Sequence, residues 1–295
     1  MDYIVEIING RRDAGPSFDF HLKRGELALI IDPEEDVSQT ILSVIAGSCF
    51  LKTGSVEIFG QSQRIDRRRI AYLPQKAEIK STQTVEKLTI DWAKALDLAA
   101  PQEAMREVLN LVDLAAEAQL PVDDLSREQR DYLLFAGALL GSPDLILINQ
   151  GAKFMGYRSK KKMLNLLDSL LRLYGVSVVY AASTIDEMVE LADVIYIVRE
   201  QRLVAVDRKH LNSQVRPSTI IETEEPGRAA VLLETADIQY EVLSEKLLEV
   251  ETEEPWLVNK ILVEAGLKLI SSIPQENDLK KLIRELVEGE RIELL

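Results

Sequence analysis

Eight residues near the start of the chain join an apolar strand to an apolar helix, a junction at which proteins can bind phosphate. The segment Asp32–Gln39 reads Asp-Pro-Glu-Glu-Asp-Val-Ser-Gln and lies between the strand Leu27–Ile31 and the helix Thr40–Ala46. A phosphate loop needs glycines, so that backbone N–H groups can close around the anion, and a lysine that reaches the outer phosphates. This segment has no glycine, no lysine and four carboxylates. The elements therefore suit a phosphate site, whereas the side chains oppose one.

Polar residues also follow three other apolar strands. They are Gln75 after Ile70–Leu73, Asn149 and Gln150 after Leu145–Ile148, and Ser183 after Val176–Tyr180. Amides keep hydrogen-bonding capacity but cannot act as a general base. The two residues that follow Leu145–Ile148 therefore offer hydrogen bonds without base chemistry.

Strands and helices alternate through the first two thirds of the chain. This alternation predicts an α/β fold with a mixed, mainly parallel sheet, an antiparallel β subdomain and a helical subdomain over about 81–135. A stretch containing Pro, Gly, Thr and Glu at 211–228 predicts a linker. We expect a first domain at 1–210 and a small C-terminal α/β domain at 229–295.

Composition narrows the classes of partner and site. A formal net charge of −14 disfavours nucleic acid and anionic lipid as main partners. The single cysteine, Cys49, excludes an internal disulfide and a thiolate metal cluster. His21 and His210 have no metal-ligand spacing. No apolar run approaches the roughly 18–20 residues of a membrane span, so we expect a cytoplasmic protein without direct lipid insertion and without a metal site.

Taken in order, these segments resemble the ATPase of the ATP-binding cassette (ABC) family over about residues 1–210. The tail resembles the small C-terminal domain of many exporter-type cassettes. The resemblance implies the ABC-type P-loop fold. The phosphate-loop pattern falls on Asp32, Glu35, Val37, Ser38, Gln39 and Thr40, the Q-loop on Gln75, the signature on Ser126, Arg127, Glu128 and Gln129, the end of the Walker B strand on Asn149 and Gln150, and the switch position on Ser183.

The resemblance implies a chemical role for each position, and most of the side chains that would perform these roles are changed. Ser38 stands in place of the lysine, and Gln39 replaces the hydroxyl that ligates magnesium. Asn149 replaces the carboxylate that orients magnesium, and Gln150 replaces the glutamate that polarises water. Gln75 is retained, as in the family loop that borders the docking groove for the transporter.

The changes extend to the signature and the switch. Arg127 and Glu128 stand where glycines let a helix N-terminus approach the γ-phosphate of the opposite subunit. Ser183 replaces the switch histidine, and the D-loop aspartate position falls on Gly156. Because phosphoryl transfer depends almost entirely on positioning and charge stabilisation, we predict that the chain is not an enzyme. We also predict that these positions are vestigial and that no cofactor is bound, neither ATP nor Mg²⁺.

The predicted function is that of a catalytically inactive ABC-transporter subunit with a structural or regulatory role. Its expected partners are transmembrane permease subunits and an ABC ATPase subunit, in a heterodimer or a homodimer, which would hold it on the inner face of the membrane. One alternative is a noncanonical or weak ATPase subunit that uses ATP and Mg²⁺ and energises export with an active partner. Another is a soluble regulatory protein that reuses the fold.

Overall fold

A computed structural model describes most of the chain and divides it into two compact units. The first unit covers Met1–Asp207 and the second Arg208–Leu294. The described residues are 3–12, 15–62, 66–75, 78–149, 157–185, 187–208, 211, 217–252, 254–275 and 279–288.

The described strands of the first unit form two sheets. They are β1 (Tyr3–Arg11), β2 (Phe18–Lys23), β3 (Leu27–Ile31), β4 (Thr53–Ile58), β5 (Ile70–Leu73), β6 (Leu145–Asn149), β7 (Ser177–Ala182), β8 (Val194–Arg199) and β9 (Arg202–Asp207). A three-stranded sheet has the order β2-β1-β4 and is antiparallel. A six-stranded sheet has the order β5-β6-β7-β3-β8-β9, parallel except for β9.

The central strands of the larger sheet are covered on both faces. Every residue of β3, β6 and β7 is buried, as expected for continuous apolar runs in a parallel sheet. The observed topology confirms the predicted α/β class with a mixed, mainly parallel sheet.

Helix α1 (Asp36–Ala46) packs against this sheet and begins at the segment that follows β3. Its Ile41, Leu42 and Ile45 are fully buried in one hydrophobic cluster with side chains of both sheets. The helix ends at Gly47, whose φ of 76° is the left-handed conformation that glycine adopts at a helix C-terminus. The apolar side chains of α1 thus fix its start beside the strand ends.

Three helices form the region inserted between β5 and β6. They are α2 (Val85–Ala95), α3 (Pro101–Leu111) and α4 (Arg127–Leu139). The Thr84 hydroxyl accepts a hydrogen bond from the Lys87 N–H and so caps α2. The helical region extends a little beyond the predicted range of 81–135.

Helix α5 (Tyr157–Tyr174) connects β6 to β7 and has 18 residues. Met163, Leu166, Leu167 and Leu170 are buried along one side of it, the spacing of an amphipathic helix. Among the helices that the structure describes, none is both long and apolar enough to cross a bilayer.

The second unit is a four-stranded antiparallel sheet with helices. Its order is β11-β12-β10-β13. Ile221 and Leu248 on the sheet pack with Leu233 and Leu262 on two helices to form a separate core. The elements are β10 (Ser218–Thr223), α6 (Pro226–Thr235), β11 (Tyr240–Val242), β12 (Leu247–Glu251), α7 (Pro255–Glu264), β13 (Leu269–Gln275) and α8 (Leu279–Glu288).

The interval 211–228, predicted as a linker, differs from that prediction in the structure. It contains all of β10 and the start of α6. Thr219 and Ile221 are fully buried, because this short β-branched run forms a central strand of the second sheet. The polar composition of the interval concealed a strand that carries part of the core.

Candidate functional site

The carboxyl ends of three neighbouring strands meet at one edge of the larger sheet. β3 continues into Asp32, β6 ends at Asn149, and β7 continues from Ala182 into Ser183. The Asp32 N–H donates a hydrogen bond to the Ala182 carbonyl at 2.9 Å. This edge is the usual place for a ligand in an open α/β sheet. The structure therefore brings together three of the positions singled out in the sequence.

The side chain of Asp32 points back to the start of α1. Asp32 is fully buried, and its Oδ2 accepts a hydrogen bond of 2.8 Å from the Ser38 N–H. The N–H groups in the first turn of a helix lack intrahelical partners and carry the positive end of the helix dipole. An internal carboxylate thus occupies one of the donors that a phosphate loop directs at phosphate.

Glu35 has the backbone conformation that explains why a glycine is usual at its position. Its φ is 66°, in the left-handed region, where a side chain is disfavoured. Its Oε2 accepts a hydrogen bond of 3.1 Å from Gln75 Nε2. The retained glutamine is therefore linked to the loop through a carboxylate.

Gln39 and Asn149 contact each other directly. Asn149 Nδ2 donates to Gln39 Oε1 at 2.5 Å, and Gln39 Nε2 donates to Ser43 Oγ at 3.2 Å. Asn149 is buried, with 4% of its surface exposed. The two amides therefore join the first turn of α1 to the end of β6.

Val37 and Thr40 support the helix. Val37 is partly buried and packs against the main core. Thr40 Oγ1 donates to the Asp36 carbonyl at 2.9 Å, a local bond within the helix. Both side chains therefore contribute to the start of α1.

The signature segment begins α4 with a reciprocal pair of hydrogen bonds. The Gln129 N–H donates to Ser126 Oγ at 3.2 Å, and the Ser126 N–H donates to Gln129 Oε1 at 2.9 Å. This is a capping box, which satisfies two N–H groups at the helix start. Arg127 and Glu128 occupy the exposed first turn. The segment lies in the helical region, on an element separate from the strand edge that carries Asp32.

The side chains at the strand edge do not fit a magnesium triphosphate in the way that the resemblance implies. The outer phosphates need N–H or lysine donors, and magnesium needs oxygen ligands. Asp32 uses the Ser38 N–H, Asn149 uses Gln39 Oε1, and residues 32–40 contain no lysine. No catalytic step is assigned to these residues. Gln150 and Gly156 lie outside the described residues.

Solved structures with the same fold include two from ABC transporters. A dimeric post-hydrolysis state of the cassette MJ0796 with ADP and Pi matches with a TM-score of 0.61 at 19% identity, covering 69% of this chain and 98% of that one. An inward-facing putative metal-chelate type ABC transporter matches with a TM-score of 0.62 at 15% identity, covering 96% and 100%. The chain has the ABC cassette fold.

Two curated relatives are similar to this chain over nearly its whole length. The bacitracin transport ATP-binding protein BcrA of Bacillus licheniformis is 23% identical over 289 residues, 95% of this chain and 94% of its own length. The linearmycin resistance ATP-binding protein LnrL of Bacillus subtilis is 23% identical over 294 residues, 94% of each chain. No family model matches the sequence.

The predictions of no enzymatic activity and of no ATP or magnesium are wrong. The relatives that align over nearly the whole cassette are named ATP-binding proteins, members of a family that uses ATP and Mg²⁺. The predictions relied on side chains alone. Phosphate is also held by backbone N–H groups at a helix N-terminus, which any residue except proline can supply. The usual contacts of a lysine with phosphate and of carboxylates with magnesium are therefore lost, but this loss does not exclude binding of the nucleotide.

An apolar groove lies beside Gln75, where the resemblance implied a docking groove, but its lining residues were not identified from the sequence. It has a volume of about 340 Å³ and is lined by residues that include Tyr72, Pro74, Trp92, Leu134 and Gly137. A Cβ atom built on Gly137 would lie 2.7 Å from the Trp92 ring, so the indole packs closely over the glycine. The helical spacing of α2 identifies its apolar positions. It does not show that the neighbouring elements leave Trp92 lining a groove.

Proposed function

We propose that this cassette is the ATP-binding subunit of a membrane transporter, with a noncanonical nucleotide site. The observation that supports this most strongly is alignment over 94% or more of both chains with two relatives named for transport or resistance and ATP binding. In this proposal residues 1–210 are the cassette and residues 229–295 an accessory domain of the exporter type.

In this proposal the nucleotide site is formed by the two helix starts and the strand edge. The phosphate loop supplies backbone N–H groups at the start of α1, and the signature segment supplies the start of α4 to a second cassette. Because Asn149 and Gln150 carry amides, which cannot act as a general base, turnover by this chain alone is expected to be slow. We therefore propose that it pairs with a second cassette. The positions that the resemblance assigns to the nucleotide site are Asp32, Glu35, Val37, Ser38, Gln39, Thr40, Gln75, Ser126, Arg127, Glu128, Gln129, Asn149, Gln150 and Ser183.

The groove beside Gln75 is the proposed contact with the permease. Its lining is mostly apolar, with Trp92 on one wall and Pro74 directly before Gln75. A short helix on the inner face of a permease subunit is the occupant that suits such a groove in a cassette. This contact would hold the cassette at the inner face of the membrane without its insertion into lipid. Export as the direction of transport rests on the resemblance of residues 229–295 to the small C-terminal domain of many exporter-type cassettes.

Affinity purification of the tagged chain from its native membranes tests this function. We expect recovery of an integral membrane protein and a second cassette, and retention of labelled ATP by the complex. Trp92→Ala should reduce recovery of the membrane protein, whereas Trp256→Ala should not, because Trp256 lies in the other unit and is 61% exposed. Circular dichroism shows whether both variants fold. Recovery of no integral membrane protein with the folded wild-type chain would overturn the proposal.

A further inference from the structure

The start of α1 is neutralised by the carboxylate of Asp32, the residue that follows β3. The N-cap residue, Glu35, makes no side-chain capping hydrogen bond. Asp32 takes this role from three residues earlier, because its Oδ2 accepts from the Ser38 N–H at 2.8 Å. A negative group at this end of a helix is favourable. The helix therefore has an internal anion at the end where phosphate loops bind an external one.

The backbone holds the Asp32 side chain in place. The Asp32 N–H donates to the Ala182 carbonyl at 2.9 Å, and the Asp32 carbonyl accepts from the Glu35 N–H at 3.2 Å. The residue is fully buried, and its Oδ1 has no hydrogen-bond partner among the described atoms. Within the described part of the chain, the bond to Ser38 is thus the one that stabilises this carboxylate.

Two neighbouring polar pairs satisfy one another in the same region. Gln39 bonds Asn149 across the gap between α1 and β6, and Glu35 bonds Gln75. Each pair joins the loop to a different segment of the sheet edge. The loop therefore has a defined conformation held by its own side chains.

We propose that Asp32 is an autoinhibitory internal anion, which a polyphosphate must displace from the Ser38 N–H before it can bind at the start of α1. The exchange is unfavourable in two ways. The displaced carboxylate stays buried without its donor, and the incoming anion meets a negative charge at close range. This inference rests on the proposed phosphate site at the start of α1, but not on the proposed transport role.

Calorimetric binding of inorganic triphosphate to the purified full chain tests this contact. Asp32→Ala removes the competing acceptor, and Glu34→Ala removes an equal charge from an exposed position of the same loop. We expect Asp32→Ala to bind triphosphate at least about tenfold more tightly than Glu34→Ala, the effect of one hydrogen bond to a charged group. Asp32→Asn should bind triphosphate less tightly than Asp32→Ala, because its amide oxygen still accepts from the Ser38 N–H.

Equal affinities of Asp32→Ala and Glu34→Ala would overturn the proposal, since charge alone would then explain the gain. Hydrogen exchange of the Ser38 amide gives a second readout that needs no variant. Slow exchange in the wild-type chain supports the bond to Asp32, whereas exchange at the rate of an open amide would overturn the proposal even if Asp32→Ala does not fold. Neither measurement involves adenine or a permease, so their outcome is separate from that of the proposed function.

Discussion

Asn149 Nδ2 donates a hydrogen bond to Gln39 Oε1 across 110 positions of sequence, at a distance of 2.5 Å. The bond links the first turn of α1 to the end of β6 at the candidate site. In the resembling cassettes these two positions carry a hydroxyl and a carboxylate that act through magnesium. In this chain the same two elements are joined directly by uncharged amides. The stability of this edge therefore includes a contribution that requires no metal.

A double-mutant cycle measures that contribution. We expect Gln39→Ala and Asn149→Ala to be non-additive in the free energy of unfolding by about 1 kcal/mol, the net value of one partly buried hydrogen bond. Chemical denaturation of the four proteins gives the coupling. As a control, Asn149→Ala combined with Gln102→Ala should be additive, because Gln102 is exposed on α3. Additivity of the Gln39 and Asn149 changes would contradict the direct bond.

A buried tyrosine joins the smaller sheet to the larger one. Tyr196 Oη donates to the His21 carbonyl at 2.7 Å and accepts from the His21 N–H at 3.0 Å. We expect Tyr196→Phe to lower the free energy of unfolding by about 1–3 kcal/mol, since two backbone groups lose their partner. Tyr174→Phe is the matched control, because Tyr174 is 69% exposed, and should change stability little. A negligible effect of Tyr196→Phe in denaturant titration would show that water replaces the phenol.

The same tyrosine gives an alkaline limit to stability. Burial raises the pKa of Tyr196 to about 12, whereas an unfolded tyrosine ionises near pH 10. Because the folded pKa is the higher one, its contribution is complete below about pH 10 and is lost as the pH rises toward 12. The melting temperature of the wild type should therefore fall more steeply between about pH 10 and pH 12 than the melting temperature of Tyr196→Phe. If the melting temperatures of the two proteins fall equally with pH, the phenol of Tyr196 is not buried as described.

Much of the framework follows from the sequence, because burial leaves a local pattern. The five apolar residues of β3 and the four at the start of β6 predict buried strands, and the glycine after α1 marks the end of that helix. These features depend on residues close together in the chain. The α/β class was therefore accessible without the structure.

The contacts of the site were less accessible. The bond between Gln39 and Asn149 depends on the packing of α1 against β6, which no local pattern encodes. The left-handed φ of Glu35 had a signal, since the position aligns with a glycine of the family. In the second unit, a local pattern was misleading. The polar residues around Ile221 suggested a linker, but alternate side chains of this segment are buried and it forms strand β10.

A glycine in β4 occupies a position that no other residue suits. Gly54 has a φ of +95°, and a Cβ atom there would lie 2.5 Å from the Asn9 carbonyl oxygen. We expect Gly54→Ala to destabilise the chain by about 2–4 kcal/mol through backbone strain and overpacking. Gly227→Ala is the control, since nothing lies within 4 Å of its Cβ position, and it should be neutral or stabilising by up to about 1 kcal/mol. Thermal and chemical denaturation should show a loss of stability for Gly54→Ala and no loss for Gly227→Ala.

An ion-pair cluster gives the chain an acid-sensitive contact. Arg69 Nε lies 2.6 Å from Asp144 Oδ2, and Arg24 Nη1 lies 3.3 Å from Oδ1. The hydrogen bond from Arg69 is the main cause that lowers the pKa of Asp144. Because the folded pKa lies below the unfolded value of about 3.9, the contribution is present above that pH and is lost as the pH falls through the folded pKa.

Replacement of Asp144 or of Arg69 should weaken this acid dependence. We expect Asp144→Asn to flatten the loss of stability below about pH 4. Arg69→Met should flatten it in part, because Arg24 still donates to Asp144, and the double variant should resemble Asp144→Asn. Chemical denaturation between pH 7 and pH 3 measures the effect, which is modest because Asp144 is one third exposed. An acid profile that is unchanged in both single variants would show that the pair contributes nothing in solution, since the first lacks the titrating carboxylate and the second lacks its nearer donor.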